Sequence, residues 1–226
     1  MFGKKKKRQP LKQLATYRQP KSNISEQYRN IRTNIEFTSV DHQIRSIIFT
    51  SASPGEGKTI TAANLAVVFG QQGKKVLLID ANLRKPTLQS LFAVHTSNGL
   101  TNVLSGKVKC MQCVQKTEIE NVYLMPSGPT PPNPAELLGY HTMDEVLQEG
   151  YEMFDIILID TPPVLAVTDA QILANKCDGI VLVVRSGMTA KEKVVKAKQI
   201  LDKVSGKLLG VILNDKKQDQ EQYGYY

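Results

Sequence analysis

Cysteine, long apolar runs and early acidic residues are all scarce in this chain. Of 226 residues only Cys110, Cys113 and Cys177 are cysteines, too few for a disulfide framework. Cys110 and Cys113 form a C-x-x-C pair. Neither a second pair nor a nearby histidine completes a zinc site, so plain thiols of a reducing cytoplasm are expected. No apolar run reaches the roughly 18 residues of a membrane span, and no apolar stretch follows the basic N-terminus as in a secretory signal. Residues 1–22 hold eight basic side chains (Lys4, Lys5, Lys6, Lys7, Arg8, Lys12, Arg18 and Lys21) and no acidic one. The remainder is balanced at 21 basic and 21 acidic residues, so the formal charge of +8 belongs to the N-terminal segment. A nucleic-acid partner, which calls for basic residues spread over a folded face, is therefore not expected.

What is present alternates between two kinds of segment. Ser46–Thr50, Val76–Ile79, Ile156–Ile159, Ile180–Val184 and Leu208–Leu213 are short, nearly unbroken Val/Ile/Leu runs, the pattern of strands buried on both faces. Between them, Thr59–Gln72 (closed by Gly73), Asp144–Glu152, Ala170–Asn175 and Ala190–Val204 supply covering helices. An earlier helix begins near Ser25, a plausible N-cap, with Tyr28, Ile31 and Ile35 at helical spacing. Alternating strand and helix predicts an α/β fold of three layers around a mostly parallel sheet. The expected organisation is a flexible basic segment at 1–22, a P-loop domain at 23–214 and a mobile tyrosine-bearing tail at 215–226.

The strongest local signal is Ser51-Ala-Ser-Pro-Gly-Glu-Gly-Lys-Thr59, which leaves a predicted strand and opens a predicted helix, as a P-loop does. Gly55 and Gly57 let backbone N–H groups turn toward phosphate oxygens, and the helix end behind them favours an anion. Ser53, Pro54, Gly55, Glu56, Gly57, Lys58, Thr59 and Ile60 are the nucleotide-binding candidates. Lys58 is expected at the β- and γ-phosphates and the Thr59 hydroxyl on Mg²⁺. Ala52 stands where the first glycine of the motif usually lies. Asp80 and Asp160 each end a predicted strand, and ligands of open α/β sheets sit beyond such ends. Both are candidate metal ligands with Thr59, and Asn214, closing the last strand, is a candidate for reading the base edge.

Together SEQYRNIRTN, SASPGEGKT, LLIDANLRKP, IILIDTPP and the terminal YGYY resemble the bacterial tyrosine kinases, P-loop enzymes that phosphorylate their own C-terminal tyrosines. The resemblance runs from about Ser25 to Tyr226. It implies an ATP- and Mg²⁺-dependent kinase in which Asp80 belongs to the second Walker motif and Asp160 is the Walker B acid. The catalytic set expected from it is Lys58, Asp80, Asn82, Arg84 and Asp160, with Tyr223, Tyr225 and Tyr226 as acceptors. Glu26, Arg29 and Arg32 match a Glu-x-x-Arg-x-x-Arg helix that joins subunits of this family into a ring. The family's second Walker motif usually reads Asp-x-Asp-x-Arg, whereas this chain has Asp80-Ala-Asn82-Leu-Arg84. An amide can orient a hydroxyl but cannot accept its proton near neutral pH, so a weakened, ATP-binding module is one alternative. A partition-type regulatory ATPase is another, although Ser53 occupies the place of the lysine that marks that group.

The resemblance further implies protein tyrosines as substrates, a separate transmembrane activator, and control of exopolysaccharide or capsule synthesis. A tail entering a neighbour's site would place a tyrosine against ATP, with Asp80 the nearest proton acceptor. Arg84 and Lys85 are expected to steady phosphate or the acidic stretch Asp219–Glu221. The basic residues of 1–22 suit an anionic membrane surface, which puts the protein in the cytoplasm, peripheral to the inner face of the plasma membrane.

Overall fold

The computed structural model describes residue 11 and residues 13–38 and 43–216. Their elements, in chain order, begin with α1 (Ala15–Arg18), α2 (Asn23–Thr38), β1 (Ser46–Ser51), α3 (Lys58–Gln71), β2 (Val76–Asp80) and α4 (Leu88–Leu91). There follow α5 (Leu100–Leu104), α6 (Cys110–Cys113), β3 (Gln115–Lys116), β4 (Val122–Met125), α7 (Pro134–Gly139) and α8 (His141–Met153). The last are β5 (Ile156–Asp160), α9 (Asp169–Ala174), β6 (Gly179–Arg185), α10 (Lys191–Leu201) and β7 (Lys207–Asn214).

The strands form one seven-stranded sheet in the order β3-β4-β2-β5-β1-β6-β7. Every pairing is parallel except the antiparallel β3–β4 contact at one edge. Alternate residues of the inner strands feed two separate cores, which is why these runs are apolar without interruption. Ile47, Phe49, Leu78, Leu158 and Val181 pack beneath α1–α4. Ile48, Ile79, Ile157, Ile159 and Leu182 pack beneath α5–α10. The expected three-layer α/β fold is the one observed. Gly73, at φ +93°, closes α3 in the left-handed conformation that favours glycine.

Two expectations change. Ser22, not Ser25, caps α2: its hydroxyl accepts the Ser25 N–H at 3.2 Å, whereas Ser25 is buried and donates to the Gln19 carbonyl at 2.7 Å. The expected free segment also ends earlier than residue 22. Leu11 and Leu14 are buried in the α1–α4 core, and Thr16 is bonded through both its N–H and its hydroxyl to the Asn64 amide oxygen of α3, at 3.0 and 2.8 Å. Two leucines and a threonine sit among the basic residues: the leucines give the segment something to bury, and Thr16 gives it a polar anchor on α3. At the other end Asp215 pairs with Arg185 at 2.8 Å. Residues 1–10, and 217–226 with the three tyrosines, lie outside the described residues.

Candidate active site

β1 lies between β5 and β6, so the loop leaving it opens at the centre of the sheet's carboxyl edge. Gly55 and Gly57 take φ of +80° and +91°, turns that a side chain would strain. Ser53, Pro54 and Gly55 form the accessible rim, and Lys58, Thr59 and Ile60 begin α3 behind it. The Glu56 side chain does not belong to that rim. It is buried, accepts the Ala52 N–H at 3.1 Å through Oε2, and accepts the Thr189 hydroxyl at 2.8 Å through Oε1. Its role is to brace the loop against the β6–α10 connection, leaving only its backbone for a nucleotide. Asn214 donates from Nδ2 to the Glu56 carbonyl at 3.0 Å, which puts the end of β7 against the same loop.

Below the loop two carboxylates meet. Asp80 and Asp160 end adjacent strands and are paired in register, and both are fully buried. The Thr59 hydroxyl donates to Asp160 Oδ2 at 2.6 Å, and Lys58 Nζ stands 3.8 Å from Oδ1. Asp160 Oδ1 is buried without a hydrogen-bond partner. Asp80 Oδ2 accepts the Thr87 and Leu88 N–H groups at 3.0 and 2.9 Å, and Oδ1 accepts that of Asn82 at 3.3 Å. Burial, and then the charge of Asp160, push the Asp80 carboxyl up to about 7 against the pull of these amides. Burial likewise raises Asp160, opposed by Lys58 and Thr59.

Two buried carboxylates, one with a buried oxygen lacking any donor, beside a hydroxyl and a lysine form a set that fits Mg²⁺. This ion keeps waters and takes phosphate oxygens, so an all-protein cage is not needed. Among the described residues no group of three or more His, Cys, Asp or Glu is placed to hold a metal. Cys110 and Cys113 are buried, and burial pushes the Cys110 thiol up to about 12, which makes it inert rather than nucleophilic.

The loop from Ala81 to Thr87 departs from the expectation. Asn82 is buried, and its side-chain oxygen accepts the Lys85 N–H at 3.3 Å. Arg84 does not reach toward phosphate: its Nε and Nη2 donate to the two oxygens of Asp169, each at 3.0 Å. Asp169 is fully buried and was not among the sequence candidates. It stands at the start of the helix expected at Ala170–Asn175, but nothing local marks it as the partner of Arg84, 85 residues earlier. Lys85 is exposed beside this pair.

On α2, Glu26 and Arg29 form an exposed ion pair at 2.6 Å, and Arg29 also donates to the Pro20 carbonyl. Arg32 turns inward, donating to the Val68 carbonyl near the end of α3 at 3.1 Å. The three residues expected on one contact face are therefore divided between the surface and the α2–α3 packing.

Residues 44–209 match a protein family described as AAA domain. The chain is 56% identical to the tyrosine-protein kinase YwqD of Bacillus subtilis (strain 168), over 92% of this chain and 88% of that one. Its structure is similar to that of the chimerical protein CapA2B2, with a TM-score of 0.88 and 39% identity over 93% of this chain and 92% of that chain. It is less similar to the septum site-determining protein MinD of Pyrococcus horikoshii OT3 complexed with Mg-ADP. There the TM-score is 0.65 and identity 30%, over 75% of this chain and 69% of that one. The P-loop architecture is thus shared with an ATPase of the division-site group, while the full-length likeness is to tyrosine kinases.

Proposed function

The chain belongs to the bacterial protein-tyrosine kinases, and from that premise we propose that it transfers the γ-phosphoryl group of ATP to Tyr223, Tyr225 and Tyr226 of a neighbouring copy. The reading rests above all on the 2.6 Å bond from Thr59 to Asp160, made at the root of a P-loop whose Lys58 faces the same carboxylate. Mg²⁺ would be held by Thr59, Asp160 and Asp80, and when bound it offsets charge on the phosphate oxygens. The chain's own groups do the rest. Loop amides at Gly55 and Gly57 and the Lys58 ammonium bind and orient the β- and γ-phosphates. The tyrosine oxygen forms a bond to the γ-phosphorus while the bond from that phosphorus to the β–γ bridging oxygen breaks, and ADP leaves. The phenolic proton passes to the Asp80 carboxylate, the nearest acceptor in this reading, which ends β2 beside Asp160.

The same reading makes copies assemble as a ring through the exposed Glu26–Arg29 pair of α2. Arg32 contributes indirectly, by setting α2 on α3. A transmembrane activator with a cytoplasmic end, an anionic lipid surface meeting the basic run Lys4–Arg8, and control of capsule or exopolysaccharide synthesis complete it. Location at the inner face of the plasma membrane follows from these partners. Each phosphotyrosine adds nearly two negative charges, so modified tails would loosen the ring.

Asn82 shapes the loop after β2 in this reading. Its hydrogen bond to Lys85 is one that an aspartate carboxylate makes equally well, so Asn82→Asp preserves the turn and adds a negative charge beside Asp80. Mass spectrometry after incubation with Mg·ATP tests the proposal. The wild type gains phosphate on the terminal tyrosines, Lys58→Ala does not, and a wild-type copy modifies the tail of a Lys58→Ala copy mixed with it. Hydrolysis of ATP without any phosphotyrosine would instead assign the partition-type activity.

A further inference from the structure

β2 and β5 run side by side to Asp80 and Asp160, and their connections then diverge. The β5 connection is fastened to the P-loop strand. Thr161 donates to the Phe49 carbonyl from N and Oγ1 at 3.1 and 2.9 Å, Thr50 donates to the Pro162 carbonyl at 2.9 Å, and Val164 N–H reaches the Ser51 carbonyl at 2.9 Å. Among the described residues the β2 connection makes no such bonds to β1; its first residue, Ala81, donates its N–H to the Asp160 carbonyl at 2.9 Å, and the rest leaves the sheet. It folds back on Asp80 through the Thr87 and Leu88 amides. The two connections are joined farther out by the Arg84–Asp169 fork.

We propose that Asp169 is a positioning residue for phosphoryl transfer, acting through Arg84 to set the 81–87 loop, and with it Asp80, relative to Asp160 and the P-loop. The role rests on the kinase reading above. An ion pair with one partner buried and the other partly in solvent is weak grounds for a purely stabilising function, because desolvation of Asp169 and solvent screening of Arg84 offset much of the attraction. What two parallel N–H···O bonds supply is a fixed angle and distance. Arg84 leaves part of its side chain in solvent, while Asp169 is fully buried, so Asp169 is the fixed post and Arg84 the arm that reaches it. A lysine would keep the charge at position 84 but present one point donor instead of a fork. The Asp80 carboxylate would feel that loss directly, since the amides that hold it belong to the loop the fork holds.

Arg84→Lys and Asp169→Asn test this in the full chain by two independent readouts. In nucleotide-free protein, hydrogen exchange at the Thr87 and Leu88 amides should quicken in both variants while that of β1 is unchanged. In phosphotyrosine assays kcat should fall by about 10–100-fold while KM for ATP stays near the wild-type value, the pattern of a displaced rather than a lost binding group. The double variant should be no worse than the weaker single one, because the two side chains act as one unit. Unchanged exchange, unchanged kcat, or additive losses would overturn the assignment. Should Asp169→Asn not fold, Arg84→Lys decides alone, since its site is partly exposed and its charge is kept. A wild-type protein with no phosphotyrosine activity would sink the kinase reading instead, and the exchange comparison would still decide whether the fork holds the loop.

Discussion

A methyl group built on Gly57 would lie 2.0 Å from Asn214 Nδ2 and 3.1 Å from its Cγ. The end of the last strand therefore occupies the space a side chain would need at the mouth of α3, and the P-loop is shaped from outside as well as by its own glycines. Gly57→Ala meets two penalties. The φ of +91° costs a non-glycine residue about 1–2 kcal/mol, and displacing Asn214 from the Glu56 carbonyl costs roughly another 0.5–1.5 kcal/mol. Denaturant titration should show a loss of about 1.5–3.5 kcal/mol, with nucleotide affinity reduced at least tenfold by calorimetry. Adding Asn214→Ala removes the collision but not the strained backbone, so the double variant should recover only part of the stability. Full recovery would show that the backbone conformation is not the constraint.

The sheet was readable from composition because its inner strands are buried on both sides. VLLI, IILI and IVLVV need no alternation to be recognised, and Asp80 and Asp160 stand at their ends. β4 escaped that reading: Val122–Met125 is no longer than VLLI or IILI, but its Tyr123 and Met125 break the unmixed Val/Ile/Leu pattern by which those runs were recognised. Glycine and lysine spacing located the phosphate loop, since that chemistry is local in the chain. The partners of Glu56 and Arg84 were not legible. Thr189 and Asp169 lie 133 and 85 residues away, and nothing local distinguishes a buried brace from a ligand. Arg84 was therefore expected at phosphate when its fork is closed on Asp169.

The segment before α2 offers a separate test, since a free basic tail and a packed strap predict opposite outcomes. Leu14 is fully buried, and truncating such a leucine costs about 2–5 kcal/mol. Thr16→Val removes the hydroxyl that donates to Asn64 and should cost about 1 kcal/mol. Tyr17, at 42% exposure, points outward, and Tyr17→Ser should change stability by less than about 0.5 kcal/mol. Thermal unfolding of the three variants against wild type gives the comparison. Equal melting of Leu14→Ala and wild type would mean that this segment adds nothing to the fold.

Protonation of the carboxylate pair sets the pH response of the protein without nucleotide. Asp80 binds its proton more tightly when folded, being raised from 3.8 to about 7 by burial and then by Asp160, and Asp160 shifts the same way. A carboxyl raised on folding stabilises the folded chain fully below its unfolded value. That contribution fades as pH climbs through the folded one. The apo protein, kept in chelator, should therefore melt higher at pH 5.5 than at pH 8. Each pKa unit is worth about 1.4 kcal/mol, or roughly 3–6 °C for a chain of this size. Asp80→Asn removes the proton from this balance, so its melting temperature should exceed that of wild type at pH 8 and vary less between the two pH values. Mg²⁺ added at pH 8 should raise wild type more than the variant, because the ion offsets the charge that burial penalises. Parallel pH profiles for wild type and Asp80→Asn would show that Asp80 does not hold this proton in the folded chain.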